Sequence, residues 1–181
     1  IVEATNQSIL ELSQEAVSLL AWSVEQLGDN FAIAGFNSNT REQVMYYHIK
    51  GYSERWDDTV KARLANLKAE YSTRMGAAIR HGTHYLDLQK SDKKLMLILT
   101  DGEPSDVDVK DSEMLIKDTH KAVQECQQKG MYLSLIHITE PTRRYAISYA
   151  VFWLKKKKVT FTYLSAHETS LNPLSHIMFA Y

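Results

Sequence analysis

The stretch KKLMLILTDGEPSD, Lys93 to Asp106, decides the fold. Leu95, Met96, Leu97, Ile98 and Leu99 are apolar in succession, without the alternation of a strand that has one wet face. Such a run is expected of a central strand in a parallel sheet, covered by helices on both sides. A Thr100-Asp101-Gly102 turn follows at once. In open α/β sheets the working residues lie just beyond the carboxyl ends of the strands, so Asp101 stands where a functional carboxylate belongs. Asp-Gly is also an ordinary turn signal. What separates the two readings is whether other parts of the chain bring oxygens to the same edge.

Working outward, YSTRMG (Tyr71 to Gly76) is an oxygen-bearing loop that opens a helix running from about Arg74 to Leu88. Backbone amides at a helix start favour an anion or a carboxylate that ligates a metal. Earlier, Ile9, Leu12, Ala16, Leu19, Leu20 and Val24 recur at three- and four-residue steps, the stripe of a helix from Ser8 to Leu27 laid on a sheet, ended by Gly28 and Asp29. Phe31 to Phe36 reads as a strand and Asn37 to Thr40 as its turn. Val44 to Ile49 reads as a second strand, with Tyr46 and His48 on one face and Tyr47 and Ile49 on the other. The pair suits a hairpin that adds an antiparallel edge strand. Asp57 to Leu67 and Ser112 to Lys129 are the remaining helices, the first capped by Asp57 or Asp58 and the second closed by Gly130.

Helices alternating with strands predict an α/β, doubly wound, Rossmann-like sheet. Such a domain usually opens with a strand, and this chain opens with a helix.

These residues resemble the von Willebrand factor A domain, an α/β fold with a metal-ion-dependent adhesion site. In that family an Asp-x-Ser-x-Ser loop after the first strand, a Thr in a middle loop and an Asp after a later apolar strand supply the metal's oxygens. Thr73 matches the second element and Asp101 the third. The first has no counterpart: Ser8 and Ser13 fall in the first helix with no Asp before them at the needed spacing. The resemblance thus implies a domain truncated before its central first strand, with apolar surface left on the neighbouring strands and marginal stability. AIAGFNSNTRE, STRMGAAIRHGTHYL and LTDGEPSDVDV look most like the C-terminal A domain of the NorD and CbbO group of activation proteins, over roughly residues 1 to 132.

The resemblance implies a cytoplasmic, metal-dependent protein-binding adaptor that works with a MoxR-type AAA+ ATPase. Its target enzyme, Rubisco or nitric oxide reductase, would present an acidic residue to complete the metal's coordination. The acidic DGEPSDVDV loop favours the CbbO side. Mg²⁺ is the implied ion, held by Thr73 and Asp101 in a complete domain and weakly or not at all by this chain. Two alternatives stand beside this reading. One is a metal-dependent hydrolase or phosphoryl-transfer domain using Asp101; the other is a structural fragment in which Thr73 and Asp101 only shape turns.

Composition narrows the classes further. A net charge of −1 gives no nucleic-acid footprint, and no apolar run approaches the ~20 residues of a membrane span. Cys126, the one cysteine, lies in the helical run KAVQECQQKG and reads as a packed thiol. His81 and His84, three apart on one helix, lack a third ligand at matching spacing. Glu103, Ser105, Asp106 and Asp108 read as a solvated acidic loop, and Arg74 and Arg80 as partner contacts or as salt-bridge residues, Arg74 with Glu70 or Asp101. There is no Gly-x-x-x-x-Gly-Lys loop and no nucleophile elbow.

Residues 131 to 181 contain neither glycine nor aspartate, both of which strand-to-helix connections use heavily. LSLIHITEPTR, Leu133 to Arg143, resembles a translated sequencing-library adapter, and ISYAVFWLKKKK, Ile147 to Lys158, resembles a second adapter read into poly-A. Residues 133–181 are therefore expected to be an adapter-derived tail, although Met131 to Ile138 is apolar enough to fill the place of the missing first strand.

Overall fold

The structure, a computed structural model, describes residues 8–68, 70–100, 102, 104–139, 164–165 and 176–180. Helix α1 (Ile9–Leu27) is started by a capping box. Ser8 Oγ accepts from the Glu11 amide at 3.2 Å, while the Glu11 carboxylate accepts from the Ser8 amide at 2.7 Å. Two of the helix's four orphan amide donors are thereby satisfied. Gly28, at φ 78°, ends the helix in the left-handed conformation that a side chain would disfavour.

Strands β1 (Ala32–Thr40) and β2 (Gln43–Lys50) form the expected hairpin, but its turn does not lie at Asn37 to Thr40. Asn37 to Thr40 continue the strand, with a register irregularity between Ser38 and Thr40, and the chain reverses at Arg41 and Glu42. The physical reason is burial. Asn37 and Ser38 are both buried, and Ser38 exchanges backbone hydrogen bonds of 2.7 Å with Ser72. A tertiary partner has replaced the local turn that an Asn-Ser-Asn run predicts.

Helices α2 (Asp58–Ala65) and α3 (Met75–Asp87) precede β3 (Leu95–Thr100), then α4 (Ser112–Gln128) and β4 (Tyr132–Thr139). The unbroken apolar run of β3 now has its cause. Leu97 and Leu99 face a core with Val17, Ala21, Val24, Val60 and Leu64 of α1 and α2. Met96 and Ile98 face a second core with Met75, Ile79, Leu86, Ala122 and Cys126 of α3 and α4. The strand residues are buried or half-buried whichever way they point, as in a doubly wound sheet. The α/β reading holds.

The sheet has the order β2-β1-β6-β3-β4-β5, the last two strands in sequence being β5 (Leu164–Ser165) and β6 (His176–Ala180). β3 pairs parallel with β4, whereas β6 lies antiparallel to both β1 and β3. β1 and β3 therefore point the same way, and their carboxyl ends share one edge. The position between them, expected to lack a strand, is occupied by β6. Met131 to Ile138, apolar as noted, instead supplies most of β4 on the far side of β3.

Candidate functional site

Three segments meet at that shared edge. The first is the end of β1 at Ser38, the second is the Tyr71 to Arg74 loop entering α3, and the third is the loop that follows β3. Ser72 is bridged to Ser38, and Thr73 is bridged to Ser105 by hydrogen bonds from Thr73 N to Ser105 O (2.8 Å) and from Ser105 N to Thr73 O (3.1 Å). Thr73 is thus held beside the loop that begins at Asp101, and it is buried. Asp101 and Glu103 lie outside the described residues. On either side of Asp101, Thr100 Oγ1 donates to Gly102 O at 3.0 Å and accepts from Gly102 N at 3.3 Å.

Ser105 and Asp108 are exposed, whereas the loop residue Asp106 departs from the reading of a solvated acidic loop. Its side chain is fully buried. One oxygen, Oδ2, accepts from Ser38 Oγ at 2.9 Å and from Arg74 Nε at 2.8 Å. Ser38 Oγ also accepts from the Arg74 amide at 3.1 Å, so both of its hydrogen-bonding roles are used. Arg74 reaches Asp108 as well, from Nη2 to Oδ1 at 2.6 Å, and Asp108 Oδ2 accepts from the Arg41 amide at 2.7 Å. Arg74 therefore pairs within the chain, with Asp106 and Asp108 rather than with Glu70. A buried carboxylate needs such a partner, because an isolated charge in the interior would cost several kcal/mol.

The ionisation of these groups follows from the contacts. Burial pulls the Arg74 guanidinium down, but hydrogen bonds and charge from Asp106 and Asp108 outweigh it and leave its pKa raised. The Arg41 amide, and then Arg74, hold the Asp108 carboxyl below its ordinary range. Two buried acceptors at this end of the sheet, Asp106 Oδ1 and Asn37 Oδ1, have no hydrogen-bond partner among the described residues. Tyr71, just before the bridged residues, sits at φ 65°. For a non-glycine residue this costs on the order of 1 kcal/mol or more, and such strain gathers at functional loops.

The other sequence candidates fall elsewhere. His81 packs edge-on against Tyr46 (centroids 4.6 Å apart) and Tyr85 (5.0 Å), and Tyr46 and Tyr85 also meet His48. His84 touches Tyr85. These histidines belong to an aromatic cluster between β2 and α3; burial, then the neighbouring His48 and His84, lower the His81 pKa. Among the described residues no group of three or more His, Cys, Asp or Glu is arranged to hold a metal. Cys126 is buried, and burial raises its thiol pKa. Arg80 ties α3 to α4 through Asp118 and Glu125, each at 2.8 Å. Ser38, Asp106 and Asp108 were not legible as a unit. The only hint was acids at alternate positions in one loop and an arginine in another.

Residues 3–148 match the von Willebrand factor type A domain. The chain is 36% identical over 140 residues to Protein NorD of Brucella abortus (strain 2308), covering 77% of the chain and 22% of that protein. Protein NorD of Stutzerimonas stutzeri is 35% identical over 123 residues, covering 68% and 20%. An uncharacterized protein of Pseudomonas aeruginosa is 34% identical over 137 residues, covering 76% and 22%. The chain spans about a fifth of the length of these curated relatives. No solved structure matches.

Proposed function

Given that this chain belongs to the von Willebrand factor type A domain family and is NorD-like in sequence, we propose that it is a cation-dependent protein-recognition module. Thr73 Oγ1 and the Asp101 carboxylate are the chain's own ligands to the ion. The observation that supports this reading is the backbone pairing of Thr73 with Ser105, which holds the Thr73 backbone against the loop that follows β3. A hydroxyl and a carboxylate are hard oxygen donors, suited to Mg²⁺, which takes about six oxygens and keeps several as water. When bound, the ion supplies an electron-poor centre that a partner's carboxylate completes.

Recognition rather than catalysis fits the neighbouring groups. Arg74, Asp106, Asp108 and Ser38 are engaged with one another, and the histidines lie in the β2 and α3 aromatic cluster. In this proposal the module directs a MoxR-type AAA+ ATPase in the cytoplasm to a target enzyme presenting an acidic residue. The name NorD carried by the relatives favours nitric oxide reductase over Rubisco as that target. The acidic loop no longer argues for Rubisco, because Asp106 and Asp108 are spent on Arg74. Among the described residues no helix is long and apolar enough to cross a membrane.

Calorimetric titration with Mg²⁺ tests the reading. This chain should bind weakly, and a version extended at its start by a first strand and an Asp-x-Ser-x-Ser loop should bind at least about tenfold tighter, a difference of about 1.4 kcal/mol. Thr73→Ala and Asp101→Asn should each remove the gain. Binding unaffected by both substitutions would refute the ligand assignment.

A further inference from the structure

We infer that Asp106 is a positioning residue. Through Ser38 and Arg74 it locks the Thr73 loop to the loop after β3, and so fixes the spacing of the oxygens that the edge offers to a cation. The functional half of this inference rests on the metal reading above; the mechanical half rests on the geometry alone.

One side-chain network reinforces the backbone bridges and ties four pieces of backbone. Asp106 Oδ2 joins the post-β3 loop to the end of β1 through Ser38 and to the start of α3 through Arg74. Asp108 extends the tie to the β1–β2 turn through the Arg41 amide. Helix α3 has no side-chain cap of its own. The amide of its N-cap residue, Arg74, is instead received by Ser38 Oγ, so the helix start is registered against the sheet rather than against its own sequence.

The network does more than neutralise charge. A buried ion pair is seldom superior to apolar packing for stability, but it demands a defined geometry. Here the defined geometry is the Thr73–Ser105 bridge, which sits between the two tied residues Arg74 and Asp106 in the antiparallel register. The strained Tyr71 backbone lies at the other end of the same loop, and the ties next to it oppose its relaxation.

Hydrogen exchange of the whole 181-residue chain, carrying Asp106→Asn or the gentler Ser38→Ala, tests the lock. The Thr73 and Ser105 amides are both donors in the bridge. In Asp106→Asn their exchange should quicken by about tenfold or more, the scale of one charge-assisted hydrogen bond. Amides within β3 and α4 should keep their protection, which excludes a general loss of folding. Unchanged exchange at Thr73 and Ser105 in both variants would overturn the inference.

Titration of the same variants with Mn²⁺, followed by water relaxation enhancement, addresses the functional half. Loosened exchange together with weaker Mn²⁺ binding supports it. Weaker binding with protection intact would make Asp106 a direct partner of the ion and overturn the positioning role. If wild-type binding is indifferent to Thr73→Ala, the metal reading fails, and the exchange arm still decides the lock.

Discussion

Gly76 is a point of close approach between α3 and α4, and replacing it by alanine sets two effects of opposite sign against each other. Within a helix, alanine is favoured over glycine by roughly 0.8–1 kcal/mol. Gly76 lies in the first turn of α3, so propensity alone predicts a stabilised protein. The structure predicts the reverse. A Cβ at this position would overlap Asp118 Oδ2, stand 2.9 Å from Asp118 Cγ and lie 3.2 Å from the Asp118 backbone carbon. The carboxylate can swing away, at the cost of its 2.8 Å contact with Arg80, but the backbone carbon moves only if α4 moves. Overpacking of this kind costs about 1–3 kcal/mol. Set against the propensity gain, Gly76→Ala should at least cancel that gain and destabilise by up to about 2 kcal/mol.

The substitution should also be felt at the site, since Gly76 is three residues from Thr73. Urea denaturation gives the stability, and exchange at the Thr73 and Ser105 amides gives the local response. In an Asp118→Ala background most of the overlap is gone, so the cost of Gly76→Ala should shrink. A Gly76→Ala protein more stable than wild type by the full propensity difference would show that α3 and α4 do not approach as described.

Two further outcomes follow from the contacts. Hydrogen bonds from Arg63, and then from the Gly51 amide, pull the Glu54 carboxyl down from its ordinary 4.5 to about 2. A group depressed in the folded state stabilises above its unfolded value and loses that contribution as pH falls through the folded one. The wild type should therefore lose stability relative to Glu54→Gln between pH 4.5 and about 2, by a modest amount because the pair is well exposed; an unchanged difference across that window in parallel denaturant titrations would count against the pairing. Removal of residues 176–181 should strip β1 and β3 of a shared neighbour, leaving open strand edges prone to self-association. A monomer of unaltered cooperativity after this deletion, judged by sedimentation and melting, would mark β6 as dispensable, as expected if residues 133–181 are adapter-derived.

What was legible depended on whether a residue answers to its own segment. The β3 run, the α1 stripe and the hairpin declare themselves because burial repeats at the period of the element, as Met96 and Ile98 against one core and Leu97 and Leu99 against the other show. Asn37 and Ser38 misled because a polar run reads as a turn unless a distant partner claims it, and here Ser72 and Asp106 do. The loop around Thr73 could be picked out by type and spacing. Its support could not, since nothing in EPSDVD reveals that one acid is buried under an arginine more than thirty positions earlier. β6 gave no warning either, being a five-residue strand running against its neighbours in the middle of the sheet.

That inserted strand has a kinetic consequence. Its partners β1 and β3 are made early, whereas the piece that joins them follows β3 only after a long stretch of chain. Until then the sheet exists as two halves that no other described strand joins, and each half presents bare backbone to whatever else is nearby. Topologies closed by such distant pairing assemble slowly and expose themselves to aggregation in the interval. Holdase chaperones should therefore raise the yield of this chain during synthesis and do little for it once β6 is in place.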